Sequence, residues 1–299
     1  HSVVRIHPGL PPSKSTIVET RRKAGFAFAR CRSGMPAHVP RCDNARLPPE
    51  SRMVASFPAP HASLDGLDAA LRERGFAVLA PESVAALAGV TLADLDALVP
   101  SWDGLLPDEY LKDGGRYRKR RHSCFVADDG VLRQVPHRMH WQSVDYNALH
   151  GGMQRWFEPV EPAVVAQPAW PRLLLALAQV CTRRMPVPRW SIEAHQFRID
   201  TVDGLGRPTP EGAHRDGVDF VAVLLVARNG VKGGETRVFE ANGPGGQRFP
   251  RTEPWSLLLL DDARVIHEST PIQPQDDFGY RDTLVLTYRA AGFQGDEET

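Results

Sequence analysis

Two histidines and one aspartate are the residues of this sequence whose types and spacing best suit metal chemistry. His214 and Asp216 lie two residues apart, immediately before the apolar run FVAVLLVA, and His267 follows a second apolar run, LLLL. Side chains at positions i and i+2 of a strand point to the same face, about 6.6 Å apart, so this pair can contact one ion. The alternatives are a surface turn or a buried polar pair.

His267 is a third ligand of the kind that such a pair needs. Two imidazoles and one carboxylate in the order HxD…H form the facial triad of non-haem Fe(II) oxygenases, which leaves three positions of an octahedral ion open. The same set suits a zinc or manganese hydrolase or isomerase on a cupin-like barrel. A non-enzymatic binding module with structural histidines is a further alternative. Metal content distinguishes the three alternatives. Iron is expected for the oxygenase, zinc for the hydrolase or isomerase, and no metal for the binding module.

Arg281 is the candidate for binding an anion near this site. It precedes the run TLVLTYR, and in a strand it would share a face with Thr283, Val285 and Thr287. A guanidinium on such an inner face needs an anionic partner, because a buried unpaired charge is costly, and a carboxylate can bind it through two hydrogen bonds. In a 2-oxoglutarate enzyme the distal carboxylate of the cosubstrate fills that role. An edge arginine paired with Asp282 or with solvent is the alternative.

The elements that must position these residues are helical in the first half of the chain and extended in the second. LDGLDAALRERG after Ser63 and AWPRLLLALAQVCTRR are typical of helices, and ADDG indicates a turn between two strands. Five apolar segments predict later strands: RWSIEAHQFRIDTV, DFVAVLLVA, ETRVFEA, WSLLLLDD and TLVLTYRA. Helices followed by strands predict an α+β fold with an antiparallel sandwich or barrel.

The composition limits the classes of partner. The 299 residues carry a formal net charge of zero, so no overall field attracts nucleic acid or a membrane. No apolar run approaches the ~20 residues that span a bilayer. The cysteines have no zinc-type spacing and indicate reduced thiols in a cytoplasmic protein. They are Cys31, Cys42, Cys124 and Cys181.

Residues 1–52 differ from the rest of the chain. They contain ten Lys/Arg, three Asp/Glu and seven prolines without sustained periodicity, and we expect them to be mostly disordered. They could be a regulatory or targeting extension, a basic arm for an anionic partner, or sequence upstream of a natural start at Met53. We favour the last explanation because regular patterning begins just after Met53.

Several segments resemble the 2OG-Fe dioxygenase family typified by bacterial L-isoleucine hydroxylases. They are AHRDGVDFVAVLLVARNGVKGGETRVFE, DDARVIHESTPI, GYRDTLVLTYR, RMHWQSVDYNALHGGMQRWFEPVEP and EAHQFRID, and the likeness covers roughly residues 60–292. The resemblance implies that residues 53–299 form a single dioxygenase domain. Its expected core is a double-stranded β-helix (jelly roll, cupin-like) with flanking N-terminal helices. The family has no extension like residues 1–52, which supports a start at Met53.

The resemblance also implies a cofactor and a reaction. Fe(II) would be held by His214, Asp216 and His267, with 2-oxoglutarate and O₂ as cosubstrates and Arg281 on the distal carboxylate. Ascorbate is the expected reductant in vitro. The implied reaction is hydroxylation of a free aliphatic L-amino acid such as isoleucine, leucine or methionine, or sulfoxidation of methionine.

An amino-acid substrate needs a cation for its carboxylate and an anion for its ammonium group. GGRYRKRRHS places three arginines on one strand face, of which Arg118 is our candidate, and a solvated basic strand is the alternative. The other pocket candidates are Trp141, Tyr146, Asn147 and Gln196. We expect no nucleic-acid or membrane partner, and a homo-oligomer is compatible with the sequence.

Overall fold

The computed structural model describes residues 58–147 and 149–296, so the expectations for residues 1–52 and for a start at Met53 lie outside the described residues. The α-helices are α1 (Leu67–Arg74), α2 (Pro81–Ala88), α3 (Leu92–Asp96), α4 (Pro162–Val165) and α5 (Ala169–Arg184), and a 3-10 helix covers Val99–Gly104. In this part of the chain no single helix has both the length and the apolarity to cross a membrane. By length and composition alone, the bent pair Pro81–Ala88 and Leu92–Gly104 passes that test.

Strands dominate the second half of the chain, as the sequence predicts. The described strands are β1 (Phe76–Leu79), β2 (Leu106–Pro107), β3 (Arg118–Asp128), β4 (Val131–Gln134), β5 (Arg189–Asp200), β6 (Phe220–Asn229), β7 (Val231–Gly233), β8 (Thr236–Glu240), β9 (Gly246–Phe249), β10 (Leu257–Asp261), β11 (Val265–Ser269), β12 (Ile272–Pro274) and β13 (Tyr280–Arg289). The expected turn between β3 and β4 is present, with Asp129 and Gly130 both at positive φ.

The strands pair into one large and two small antiparallel sheets. The large sheet has eight strands in the order β1-β10-β6-β13-β5-β3-β2, with β4 added on β3. The small sheets are β11-β8-β9 and β12-β7. Because β5 and β13 pair over ten residues, and β3 and β5 over eleven, these three strands form a continuous floor.

The apolar runs are buried on both faces of the large sheet. In β10, Leu257 and Leu259 belong to the core formed with the helices, whereas Leu258 and Leu260 pack with Val238 of β8. The alternation follows from the two-residue period of a strand, and it explains why LLLL has no polar face. Helices therefore cover one face and the small sheets cover the other, which confirms the expected jelly roll with flanking helices.

The helix predicted in AWPRLLLALAQVCTRR is α5, with the same bounds, and its buried residues pack against the large sheet. The helix predicted after Ser63 begins later than expected, at Leu67. The Ser63 hydroxyl accepts the Gly66 N–H at 3.1 Å, which forms a turn before the helix and leaves Leu64 37% exposed. Gly75 ends α1 in the left-handed conformation, as predicted.

Shortening a buried leucine of α5 tests the importance of this helix. Leu177 is fully buried, and we expect Leu177→Ala to lower the free energy of unfolding by about 2–5 kcal/mol through lost contacts and a residual cavity. Leu106 is 47% exposed, so the matched Leu106→Ala should cost less than about 0.5 kcal/mol. Denaturant unfolding followed by circular dichroism measures both, and equal losses would contradict the packing described.

Candidate active site

His214 and His267 are held together by their own backbones. The His214 N–H donates to the His267 carbonyl at 3.1 Å, and the His267 N–H donates to the His214 carbonyl at 2.9 Å. His267 lies in β11, but His214 and Asp216 lie ahead of β6, which begins at Phe220. The expectation that this pair sits within a strand is therefore corrected: an isolated bridge aligns the segment instead.

The three predicted ligand side chains converge. The His214 Nε2 is 3.9 Å from Asp216 Oδ1, and the His267 Nε2 is 3.7 Å from Asp216 Oδ2. One ligand atom from each side chain lies within 4.8 Å of the others. Ligand bonds of about 2.1 Å place neighbouring donors at separations of this order, so the three residues could hold a metal ion.

The hydrogen bonding of His214 fits a metal ligand. Its Nδ1 lies 2.9 Å from the carbonyl of Gly212, which can only accept, so Nδ1 carries a proton and a metal ion would take the lone pair of Nε2. Burial opposes the charged form of His214, but the carboxylates of Asp216 and Glu211 outweigh it and raise the pKa of this imidazole. Its Nε2 faces the carboxylate of Asp216 and, at 3.5 Å, Oε1 of Glu211. Burial and the neighbouring His214 keep the pKa of His267 well below its ordinary value, so this imidazole is neutral. A cation between these groups would relieve the repulsion.

Asp216 is positioned by two further side chains. The Gln142 amide donates to Asp216 Oδ1 at 3.2 Å. The Asp262 carboxylate accepts the N–H groups of Asp216 and Gly217 at 3.0 and 2.8 Å, which fixes the turn that carries the ligand. Gly217 has a φ of 76°, and a Cβ there would lie 2.4 Å from the Tyr146 ring, so glycine is required. Burial, followed by repulsion from Asp216, raises the pKa of Asp262 to about 7.

Arg281 faces the same cavity. It lines the cavity with Thr283, Val285 and Thr287, the face expected from the alternation of β13. Arg281 is buried, and its Nε has no hydrogen-bond partner among the described residues. Asp282 instead accepts hydrogen bonds from Arg198 at 2.7 and 2.8 Å on the other face of the sheet. The alternative of an edge Arg281–Asp282 pair therefore does not apply.

Two more arginines lie near Arg281. Arg228 is opposite Arg281 in the register of β6 and β13. Burial, followed by the charge of Arg228, lowers the pKa of Arg281 to about 10. Arg251 is fully buried, and burial and Arg281 together hold its pKa well below the ordinary value. Arg228 donates to the carbonyls of Val231 and Gly233, and of the three arginines only Arg281 lines the cavity, so Arg281 is the candidate anion site. No motif in the sequence singles out Arg251.

The substrate candidates fall in different places. Arg118 lines the cavity, as expected. Gln196 does not, because it points to the helix side of β5 and its amide donates to the Ser101 hydroxyl at 2.8 Å. Tyr146 lines a separate cleft beside Gly217, and Trp141 lies next to Gly295. None of the three lines the cavity, so these expectations are corrected. For Gln196 the reason is that strand alternation groups residues by face without saying which face is inside, whereas Tyr146 and Trp141 lie outside any strand.

Several other residues that line the cavity were not identified from the sequence. Arg120 is one of the three arginines predicted in GGRYRKRRHS, and Asn147 was also predicted. The unpredicted polar ones are His140, Gln142, Arg155, Glu193, His195, Thr209, Glu211, Ser269 and Gln294. A signal was present in EAHQF, where Glu193 and His195 have the same two-residue spacing as His214 and Asp216. Arg116, by contrast, is exposed and pairs with Asp203 at 2.7 Å.

Known proteins match the chain in family and in fold. Residues 99–287 match the 2OG-Fe dioxygenase family. The crystal structure of a bsmA homolog from Methylobium petroleophilum PM1 is 53% identical with a TM-score of 0.75, covering 79% of this chain and 96% of that chain. No curated protein matches the sequence.

Two more distant structures share the fold. IDO from Bacillus thuringiensis has a TM-score of 0.63 at 16% identity, covering 78% of this chain and 98% of that chain. The Fe(II)/(alpha)ketoglutarate-dependent dioxygenase TqaL has a TM-score of 0.60 at 19% identity, covering 78% of this chain and 88% of that chain. The family match spans most of the sheet core and all four of His214, Asp216, His267 and Arg281. The protein belongs to the 2OG-Fe dioxygenase family, whose members use Fe(II), 2-oxoglutarate and O₂.

Proposed function

We propose that the protein oxidises a free aliphatic L-amino acid such as isoleucine, leucine or methionine, as bacterial L-isoleucine hydroxylases do. One observation carries the proposal: buried arginines line the cavity at two separate places, Arg281 at one and the group of Arg118, Arg120 and Arg155 at the other. Arg281 lies opposite Ile199 of β5, and Ile199 lies opposite Arg118 of β3. The two arginines are thus two strand spacings apart, about 10 Å between Cα atoms. One group suits the cosubstrate, and the other suits the carboxylate of a second small acid.

The roles of the ligand residues follow from their hydrogen bonds. We assign Fe(II) to His214, Asp216 and His267, since Gly212 fixes the tautomer of His214 and Gln142 orients Asp216. Bound iron, with 2-oxoglutarate and O₂, supplies the oxidising chemistry that an unreactive C–H bond requires. The residues of the chain supply the position of both organic molecules and the exclusion of water.

The floor of the cavity supplies that positioning. Arg281 binds the distal carboxylate of 2-oxoglutarate, and Thr283 and Thr287 line the path from Arg281 toward the ligand residues. Across the floor, Phe197, Ile199 and Val223 offer an apolar surface for an aliphatic side chain. In the second arginine group, Arg118 donates through Nε to Asp108 at 2.7 Å, and its Nη2 has no hydrogen-bond partner among the described residues. Arg118 and Arg155 bind the substrate carboxylate.

Succinate formation tests the reaction. Purified protein with Fe(II), ascorbate and 2-oxoglutarate is screened across the free L-amino acids, and we expect an aliphatic member to stimulate succinate release. Asp216→Ala should lower this rate at least about 100-fold and should also remove iron from the protein, because the carboxylate is the anionic ligand. Metal analysis of both proteins checks the second effect.

The control is Asp65→Ala, which removes an exposed carboxylate far along the chain. It should retain full activity and iron. Unchanged succinate formation by Asp216→Ala, or activity that follows zinc rather than iron, would exclude the assigned metal site. Iron-dependent 2-oxoglutarate turnover without stimulation by any amino acid would exclude the proposed substrate class.

Arg281→Gln tests the cosubstrate site. We expect the KM for 2-oxoglutarate to rise about 10- to 100-fold, because a charged, two-point hydrogen bond to the distal carboxylate is lost. Folding should be little affected, because Arg281 is buried without a compensating partner on its Nε. Exposed Arg189→Gln is the matched control. Steady-state kinetics at saturating amino acid gives both values, and an unchanged KM in Arg281→Gln would refute the assignment.

A further inference from the structure

A second group of titratable side chains lies in the wall of the cavity. Glu193 and His195 of β5, His122 of β3 and His140 are all buried, and one ligand-type atom from each lies within 4.8 Å of the others. Glu193 Oε2 is 2.8 Å from both His122 Nε2 and His140 Nδ1, and 3.7 Å from His195 Nε2. This spacing alone would also suit a metal ion.

Arg120 argues against a metal ion at this group. Its Nη2 lies 2.7 Å from Nδ1 of His195, and a guanidinium can only donate. The Nδ1 of His195 is therefore the acceptor, so a neutral His195 carries its proton on Nε2, the nitrogen that faces Glu193. A protonated nitrogen cannot bind a metal ion. Phe157 and Phe197 hold the Arg120 guanidinium in place, with ring centres 3.9 and 4.4 Å away.

The group is instead a carboxylate surrounded by imidazole N–H groups. Burial opposes ionisation of Glu193, but the nearby His140 and the hydrogen bonds from His122 and His140 outweigh it and lower the pKa of Glu193. Burial lowers the pKa of all three histidines, so they are neutral near pH 7. Glu193 is then an anion whose Oε2 accepts N–H groups from neutral donors.

The other carboxylate oxygen of Glu193 is free to bind a ligand. Oε2 takes both 2.8 Å hydrogen bonds, and no hydrogen bond among the described residues involves Oε1. The Glu193 side chain is 9% exposed and lines the cavity. His140 contacts Glu193, and Gln142, two residues later, donates to Asp216, so the same segment connects this carboxylate to the predicted iron ligand.

We propose that Glu193 Oε1 binds the ammonium group of the substrate, with the three histidines holding the carboxylate in place. The inference rests on the proposed function for the rest of the substrate, whose carboxylate lies toward Arg118 and Arg155. Arg155 is close enough to Glu193 to interact with its charge, and its Nη2 donates to Gln142 at 3.0 Å. An anion and a cation on one wall match the two charges of a free amino acid.

Binding of partial substrates tests the ammonium site. Calorimetry under anaerobic conditions, on protein loaded with Fe(II) and 2-oxoglutarate, compares L-leucine, 3-methylbutylamine and 4-methylpentanoate. The last two lack the carboxylate and the amine of leucine. We expect Glu193→Gln to raise the Kd for 3-methylbutylamine at least about tenfold, because the amine loses its anionic partner. The Kd for 4-methylpentanoate should change by less than about twofold. Glutamine keeps a carbonyl oxygen for His122 and His140, so the wall is preserved.

Glu158→Gln is the matched control, since Glu158 is an exposed carboxylate that does not line the cavity. It should leave the affinity for 3-methylbutylamine unchanged. Glu211→Gln tests the rival carboxylate of the same cavity. The proposal is overturned if the wild-type protein does not bind the amine, if Glu211 rather than Glu193 determines its affinity, or if metal analysis finds two ions per chain.

Succinate assays on the same samples separate this inference from the proposed function. If no amino acid is turned over but amine affinity depends on Glu193, the ammonium site stands and the proposed substrate class fails. If leucine is turned over and Glu193→Gln binds the amine like the wild type, the reaction stands and the ammonium site fails.

Discussion

The reciprocal backbone hydrogen bonds between His214 and His267 are the constraint on which the site depends. They join the segment that enters β6, in the large sheet, to β11, in a small sheet. Each backbone bond contributes modestly to stability, about 1 kcal/mol, but the pair fixes two ligand side chains that are more than fifty positions apart in the sequence. Asp216 then reaches the same point through the turn that Asp262 holds. The cavity exists because the two sheets are joined here.

The cavity contains buried groups of both charges that lack partners of opposite charge. Arg281 lacks an anion, whereas the carboxylates of Asp216 and Glu211 converge on His214 Nε2, where a metal ion would bind. Burying charges without partners costs folding free energy. A metal ion would neutralise the buried carboxylates, and a dicarboxylate would neutralise the buried arginine. Ligands that bind only the folded state also raise its stability by mass action. The fold tolerates these buried charges because its helices and its apolar strands, such as β10, form a large hydrophobic core.

Much of this architecture could be predicted from the sequence. The helix α5 and the hairpin of β3 and β4 follow from local periodicity and turn chemistry. His214, Asp216, His267 and Arg281 could be singled out because their residue types are costly to bury without a purpose. Glu193 and His195 were missed although they have the same two-residue spacing as His214 and Asp216. The reason is that EAHQF is also typical of an ordinary strand.

The remaining errors have a common physical origin. Gln196 and Phe197 are adjacent in β5, and sequence alternation alone assigns them to opposite faces without saying which face meets the helices. That choice depends on pairing with β3 and β13, which involves residues about 75 to 90 positions away. Tyr146 and Trp141 lie in an irregular segment, where no periodicity constrains the direction of a side chain.

The division of the cavity floor between strands has a consequence for redesign. Arg281 and its neighbours belong to β13 and β6, whereas Arg118, Arg120 and His122 belong to β3, with β5 between them. Substitutions on β3 or in the segment around His140 would reshape the space for a new amine or acid without altering β13, which carries Arg281, the residue proposed to bind 2-oxoglutarate. Libraries aimed at altered selectivity should therefore vary β3 and residues 140–157 and leave β13 intact.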